Sequence, residues 1–134
     1  MLGCLFAFPP ISMFPALYSY ADLGPIALRL ALAAIFFVHG PPKLSGKMGP
    51  FMAAVGLAET VGAVSVFLGL FTQIGAILLG AIMVGATYKK ISEWHIPFTA
   101  MDKTGWEFDV LILAACVLLL LVGPGAYSLD ALIG

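Results

Sequence analysis

The hydrophobic and polar positions of this chain separate into long blocks, a pattern that is typical of membrane-spanning helices. Four apolar runs come close to the ~20 residues that a helix needs to cross a bilayer. Short segments that contain glycine, proline and charged residues separate these runs. We therefore predict an all-α fold, an integral membrane antiparallel four-helix bundle. Its helices are expected at about residues 22–40, 51–70, 74–91 and 105–122.

Residues 1–21 form a further apolar segment in front of this bundle. Pro9, Pro10 and Pro15 interrupt it. Because a proline inside a helix removes a hydrogen bond and clashes with the preceding turn, we do not expect this segment to span the membrane. Its aromatic side chains favour an interfacial or partner-contacting position. The predicted organisation is thus an N-terminal extension, residues 1–21, and one membrane domain, residues 22–134.

The composition supports a membrane protein and argues against several other classes. The chain is 62% hydrophobic and 10% charged, with a mean hydropathy of +1.10, whereas soluble domains contain about 25% charged residues. A net charge of −1 without a basic run predicts no nucleic-acid partner. Cys4 and Cys116 lack the spacing of a dithiol redox motif, and His39 and His95 lack that of metal ligands. We therefore predict no metal site.

The lysines predict an orientation in the membrane. In a four-helix bundle, the loops after the first and third helices share one side. The lysines of the chain all belong to this side: Lys43, Lys47, Lys89, Lys90 and Lys103. The positive-inside rule places that side in the cytoplasm.

Two charged residues lie inside the apolar runs and need partners there. Arg29 lies about one turn into the first predicted helix, and Glu59 lies in the middle of the second. A charge within the bilayer is costly unless it is paired or faces protein, and antiparallel helices bring these two residues to similar depths. We predict a buried ion pair between Arg29 and Glu59. The pair either serves the function or only holds the helices in register.

A second polar group is expected at the end of the bundle that holds the lysines. The prolines at 41–42 are predicted to end the first helix, which brings four candidate ligand-binding residues to one level: His39, Lys43, Trp106 and Glu107. A structural Lys–Glu pair would not need the titratable His39, so we predict a site for the head group of a lipid, quinone or other amphiphile. The structural alternatives are a hydrogen bond at the helix end for His39 and an interfacial anchor for Trp106.

Several short motifs, in their order and spacing, resemble the DoxX family of small four-helix membrane proteins. The matching features are RLALAAIFFVHGPPKL at 29–44, the Glu59 helix with Gly62, GLFTQIGA at 69–76, Met83, Ala86, the G-x-E element at 105–107 and GPGAYSLD at 123–130. The resemblance covers residues 24–130. It implies a four-helix membrane bundle, and we expect a multi-pass protein of a prokaryotic cell membrane.

The resemblance also implies a role near membrane redox chemistry, since the family's namesake subunits look like parts of a thiosulfate:quinone oxidoreductase. The chain contains no flavin, haem or iron–sulfur motif, so we expect no intrinsic cofactor and no catalysis by this chain alone. We predict an accessory subunit of a membrane oxidoreductase complex that contacts lipid, quinone, and other membrane subunits or further copies of itself. The alternatives are a structural or assembly subunit without chemistry, and a small-solute carrier.

Overall fold

The computed structural model describes residues 13–134, and over that range it contains helices and loops but no strand. A 3-10 helix, Pro15–Tyr20, precedes the first long helix. The α-helices are α1 (Leu23–Lys43), α2 (Pro50–Leu68), α3 (Thr72–Ser92), α4 (Trp106–Val122) and the short α5 (Leu129–Ile133). The predicted all-α class is confirmed for the described residues. Residues 1–12, which make up much of the predicted N-terminal extension, lie outside them.

The end of α1 differs from the sequence-based prediction. The helix continues through Pro41 and Pro42 to Lys43, whereas the prolines predict an end at Gly40. A proline clashes with the Cβ atom and N–H of the residue before it. Gly40 has no Cβ atom and Pro41 has no N–H, so part of each clash is removed and the helix continues through the proline pair. Lys43 therefore stays in helical register with Gly40 and Phe36, and it shares their face of the helix.

The four long helices pack as two antiparallel hairpins, α1 with α2 and α3 with α4, which meet mainly through α2 and α3. Contact between α1 and α4 is sparse. Within the first hairpin the backbones approach closely, because a Cβ atom at Gly56 would lie 2.6 Å from Cβ of Lys43 and 2.7 Å from the carbonyl oxygen of Gly40. The buried core includes Leu32, Phe36, Val66, Leu79, Ile112 and Leu119.

The outer surface of the bundle is apolar, as a lipid-facing surface must be. Large apolar side chains point outwards on every long helix, for example Leu30, Val61, Ile77 and Leu118, each at least 50% exposed. Among the described residues, α1, α2 and α3 are long and apolar enough to cross a bilayer. Helix α4 has 17 residues, which is at the short end of the range for a span. The chain is an integral membrane protein.

Candidate functional site

The predicted ion pair of Arg29 is wrong, because its buried side chain binds backbone carbonyls instead. Nε donates to the carbonyl of Val66 at 2.8 Å, and Nη2 donates to the carbonyl of Phe67 at 2.7 Å. Nη1 donates to the carbonyls of Pro124 and Tyr127 at 3.2 and 2.7 Å. The last carbonyls of a helix lack helical donors and have a partial negative charge. The guanidinium therefore closes the C-terminal end of α2 and ties it to the segment after α4.

Asp130 completes this group of contacts, which we call the Arg29 cluster (Arg29, Gly69 and Asp130). Its Oδ1 and Oδ2 accept from the N–H groups of Phe71 and Thr72 at 2.7 and 3.0 Å, so it caps the N-terminal end of α3. Burial alone would raise the pKa of Asp130, but the hydrogen bonds from Thr72 and Phe71 and the charge of Arg29 lower it below its usual value. Gly69 has a φ of +66°, and a Cβ atom there would lie 2.6 Å from Nη2 of Arg29, so this position requires glycine.

Glu59 pairs with Lys43 rather than with Arg29. Nζ of Lys43 lies 2.6 Å from Oε1 and 2.7 Å from Oε2 of Glu59. The side chain of Glu59 is 5% exposed and that of Lys43 is 20% exposed. The continued helix explains this pairing: Lys43 shares a face with Gly40, which packs against Gly56 of α2. Glu59 lies one helical turn after that contact, within reach of the lysine side chain.

The axial register of α1 and α2 separates the two residues that were expected to pair. Arg29 lies beside Val66, which is seven residues beyond Glu59 on α2, or about 10 Å along a helix axis. If α1 is taken to end at Gly40, the distances of Arg29 and Glu59 from that end of the bundle come out more similar than they are in the structure. Extension of the helix to Lys43 increases the difference.

A second buried ion pair, which the sequence analysis missed, joins the other hairpin. Nζ of Lys90, in the last turn of α3, lies 2.8 Å from Oδ1 of Asp109, in the first turn of α4. The positive N-terminal end of α4 also favours a carboxylate there. Helical spacing could have revealed this pair, because Lys90 follows the buried Met83 by seven residues, and Asp109 precedes the buried Ile112 and Cys116 by three and seven.

Both ion pairs face one cavity of about 620 Å³ between the hairpins, which we call the ion-pair cavity. Its charged lining includes the buried carboxylates of Glu59 and Asp109 and the half-buried lysines Lys43 and Lys90. Apolar side chains form much of the remaining wall, among them Phe36, Val55, Met83 and Ile112. Small-molecule sites are typically apolar clefts of about 300–1,000 Å³ with a few polar groups. The cavity has the size and composition of such a site.

The other predicted ligand-binding residues are not brought together. His39 is exposed and lines the ion-pair cavity. Trp106 packs edge-on against Phe98, with ring centroids 4.5 Å apart. Glu107 is exposed and accepts a hydrogen bond from Oγ1 of Thr99 at 2.7 Å. The expected grouping of the histidine, the lysine at 43, Trp106 and Glu107 is therefore corrected: the last two residues bind the loop before α4, and the lysine turns to Glu59.

One buried oxygen in the ion-pair cavity accepts no hydrogen bond. Oδ1 of Asp109 accepts from Lys90, but Oδ2 accepts from none of residues 13–134. Buried polar atoms nearly always have a partner, and an unsatisfied one costs about 1–3 kcal/mol. Asp109 is 2% exposed and is one of the residues that line the cavity, so this oxygen lies just behind the cavity surface without a hydrogen-bond donor. No set of three His, Cys, Asp or Glu side chains among the described residues is arranged to hold a metal ion.

This chain is similar to a known family model and to proteins of two bacteria. The family model that matches is DoxX, over residues 24–91. A protein of Bacillus subtilis (strain 168) with the name "Putative oxidoreductase CatD" is 31% identical over 121 residues, which cover 81% of this chain and 86% of that protein. "Inner membrane protein YphA" of Escherichia coli (strain K12) is 32% identical over 138 residues, which cover 83% of this chain and 95% of that protein. No solved structure gives a significant match.

Proposed function

This chain belongs to the DoxX family, and on that premise we propose that it is an accessory subunit of a membrane oxidoreductase complex that binds a quinone in its ion-pair cavity. In this proposal α1 to α4 all cross a prokaryotic cell membrane. The loop after α1 and the loop after α3 lie in the cytoplasm, because the lysines are at that end of the bundle. The observation that supports it most directly is the ion-pair cavity itself, an apolar space between four helices with buried charged groups in its wall.

A quinone head group needs an apolar slot with hydrogen-bond donors at its edges, and the cavity offers both. Lys43 and Lys90 supply donors, because an ammonium has three N–H groups and these lysines also bind carboxylates. The cavity reaches the protein surface, since its lining includes the exposed side chains of His39, Phe51 and Trp94. A quinone ring could thus enter from that surface and lie against these half-buried lysines.

Electron transfer is assigned to a partner in this proposal. The name of the Bacillus subtilis relative supports an association with redox chemistry. The present chain has no flavin, haem or iron–sulfur motif, so its own residues would bind and orient the ring while a partner subunit exchanges electrons with it. Lipid surrounds the bundle, and the partner is another membrane subunit or a second copy of this chain.

A scaffold subunit without a ligand is the second candidate, and the ion pairs favour it. Lys43 and Glu59 join α1 to α2, whereas Lys90 and Asp109 join α3 to α4. Each pair therefore also holds one hairpin in register, a role that buried ion pairs have in some proteins. The scaffold candidate does not account for the unbonded Oδ2 of Asp109.

A cavity-filling variant distinguishes the two candidates. Ala86 lines the ion-pair cavity, so Ala86→Phe should weaken the binding of a decyl benzoquinone by at least about tenfold, or ~1.4 kcal/mol. Ala54→Phe is the matched control, because Ala54 is exposed on α2 and is not part of the cavity lining. Quenching of Trp94 fluorescence in a Trp106→Phe background measures binding. Failure of the parent protein to bind, or equal binding by both variants, would contradict the quinone site.

The subunit assignment needs a separate experiment. Affinity purification of the full chain from native membranes in a mild detergent, followed by mass spectrometry, should recover a redox enzyme in fixed ratio to the chain. Recovery of the chain without any redox protein would contradict the assignment. The quinone site could still stand in that case, because the binding experiment tests it independently.

A further inference from the structure

We infer that the ion-pair cavity selects the reduced form of its ligand, a quinol, over the oxidised quinone. This selectivity rests on the proposed function, since it concerns the same cavity and the same ring. Its structural basis is one atom, Oδ2 of Asp109, which accepts no hydrogen bond from residues 13–134 although Asp109 lines the cavity. This oxygen has almost no accessible surface of its own, so the inference includes a small rotation of the carboxylate that turns Oδ2 towards the ring.

The unbonded oxygen can only accept a hydrogen bond. A carboxylate has lone pairs but no N–H or O–H group, and Oδ1 of Asp109 already accepts from Lys90 at 2.8 Å. A quinol has two hydroxyl groups, either of which can donate to Oδ2. A quinone has carbonyl oxygens in the same places, and two acceptors that face each other in a buried site both stay unsatisfied. Asp109 therefore favours the hydroxyl form of the ring.

The lysines do not favour either form. An ammonium only donates, and both a quinone carbonyl and a quinol oxygen can accept from Lys43 or Lys90. The donors therefore contribute to affinity for both forms, whereas the single unbonded acceptor distinguishes them.

Glu59, the other buried carboxylate, lacks this free acceptor. Both of its oxygens accept from Nζ of Lys43, at 2.6 and 2.7 Å, whereas only one oxygen of Asp109 is bonded. His39 lies at the exposed edge of the cavity, where water can bond to its imidazole. The discrimination is thus located at α4 rather than at α2.

Three ligands with the same ring and tail test this selectivity on the intact protein. They are decyl benzoquinone, its quinol kept reduced without oxygen, and the dimethyl ether of that quinol, which keeps the shape of the quinol but has no O–H group. We expect the quinol to bind at least about tenfold more tightly than the other two, as one hydrogen bond to a charged group predicts. The two-electron reduction potential of the bound quinone/quinol couple should then rise by about 30 mV or more.

Asp109→Asn should abolish or reverse the preference. Lys90 can only donate, so the amide oxygen is expected to stay towards it, and the amide NH2 then takes the position of Oδ2 as a donor. Glu107→Gln is the matched control, because it removes the same charge two residues away on α4, at an exposed position outside the cavity lining. That control should bind all three ligands as the parent does.

The outcomes separate this selectivity from the proposed function. Equal binding of quinone, quinol and ether by the parent would overturn the selectivity and leave the quinone site intact. Binding of none of them would overturn both. If Asp109→Asn does not fold, the comparison of quinol with ether on the parent decides alone, because it requires no variant.

Discussion

At one end of this bundle the charged side chains bind the backbone, and at the other end they bind one another. In the Arg29 cluster, one guanidinium donates to four carbonyls and one carboxylate accepts from two N–H groups. In the ion-pair cavity, two lysines bind two carboxylates, and one carboxylate oxygen is left over. The first arrangement uses its charges for the fold. The second leaves one acceptor without a hydrogen bond.

Helix ends explain why the charges of the Arg29 cluster bind backbone groups. The side chain of Arg29, from α1, contacts the C-terminal end of α2, where the carbonyls are partly negative. The side chain of Asp130, from α5, contacts the N-terminal end of α3, where the N–H groups are partly positive. Both charges complement the helix ends that they bind. In the ion-pair cavity each lysine binds a carboxylate side chain instead of backbone groups, and the four charged residues line one space between the helices.

Removal of the guanidinium is expected to have the largest effect on stability. Arg29→Met leaves four carbonyls without their donor. The carbonyl of Val66 still accepts from the N–H of Gly69 at 3.2 Å. At about 1–3 kcal/mol for each of the other three groups, the free energy of unfolding in detergent should fall by about 3–9 kcal/mol. Arg29→Lys should recover only part of it, because an ammonium cannot bridge all four carbonyls. Quinone binding by the folded fraction should stay unchanged, and a loss of binding without unfolding would contradict the division between the two ends.

Removal of one partner of an ion pair should have the next largest effect. Lys43→Met leaves the carboxylate of Glu59 buried and unpaired, which should lower the free energy of unfolding by about 3–5 kcal/mol. The double variant Lys43→Met/Glu59→Leu should recover much of that loss. Lys47→Met, at an exposed loop position, is the control for the loss of a positive charge. Additive losses in the double-mutant cycle would show that Lys43 and Glu59 do not interact.

Loss of the cap on α3 should cost less and should depend on pH. Asp130→Asn should lower the free energy of unfolding by about 1–2 kcal/mol at neutral pH. The folded-state pKa of Asp130 is lowered, so its contribution is present above the unfolded pKa of about 3.9 and is lost as the pH falls through the folded value. Unfolding curves of parent and variant should therefore differ at pH 7 and converge in strong acid. A difference that grows on acidification would contradict the cap.

The smallest effect is expected at the edge of the ion-pair cavity. His39 is exposed, so His39→Phe should change the free energy of unfolding by no more than about 0.5 kcal/mol. If its imidazole contacts the ligand, quinone binding should weaken by about threefold, which corresponds to one exposed hydrogen bond of ~0.7 kcal/mol. Fluorescence quenching of Trp94 measures this change. Unchanged binding would remove His39 from the site and leave the buried ion pairs as its polar part.

Most helix positions could be predicted, because lipid outside the bundle requires apolar blocks of a fixed length. The predicted ranges 51–70, 74–91 and 105–122 lie within about two residues of Pro50–Leu68, Thr72–Ser92 and Trp106–Val122, a difference that is usual for helix ends. The exception is the end of α1, where the helix continues through two prolines against the general rule, because the residues before them lack a Cβ atom (Gly40) or an N–H (Pro41).

The candidate site was predicted less well than the helices, and that one helix end is a main reason. With α1 ending at Gly40, Lys43 is a loop residue that can turn to Glu107. With α1 ending at Lys43, the same side chain lies on the buried face and meets Glu59. The pair of Lys90 and Asp109 was missed for a different reason. Both residues lie next to polar loops and look exposed in the sequence, although their helical spacing places them on the core face.

The sequence by itself determined that this chain forms apolar helices in a membrane, and that its buried charges need partners, because both follow from the cost of placing polar groups in lipid. Only the tertiary structure decided which charges meet. Partner choice depends on the axial register of neighbouring helices, which in the first hairpin is set by the close contact of Gly40 with Gly56. A shift of about one turn, or ~5.4 Å, changes the partner of every long side chain without any change in composition or hydropathy.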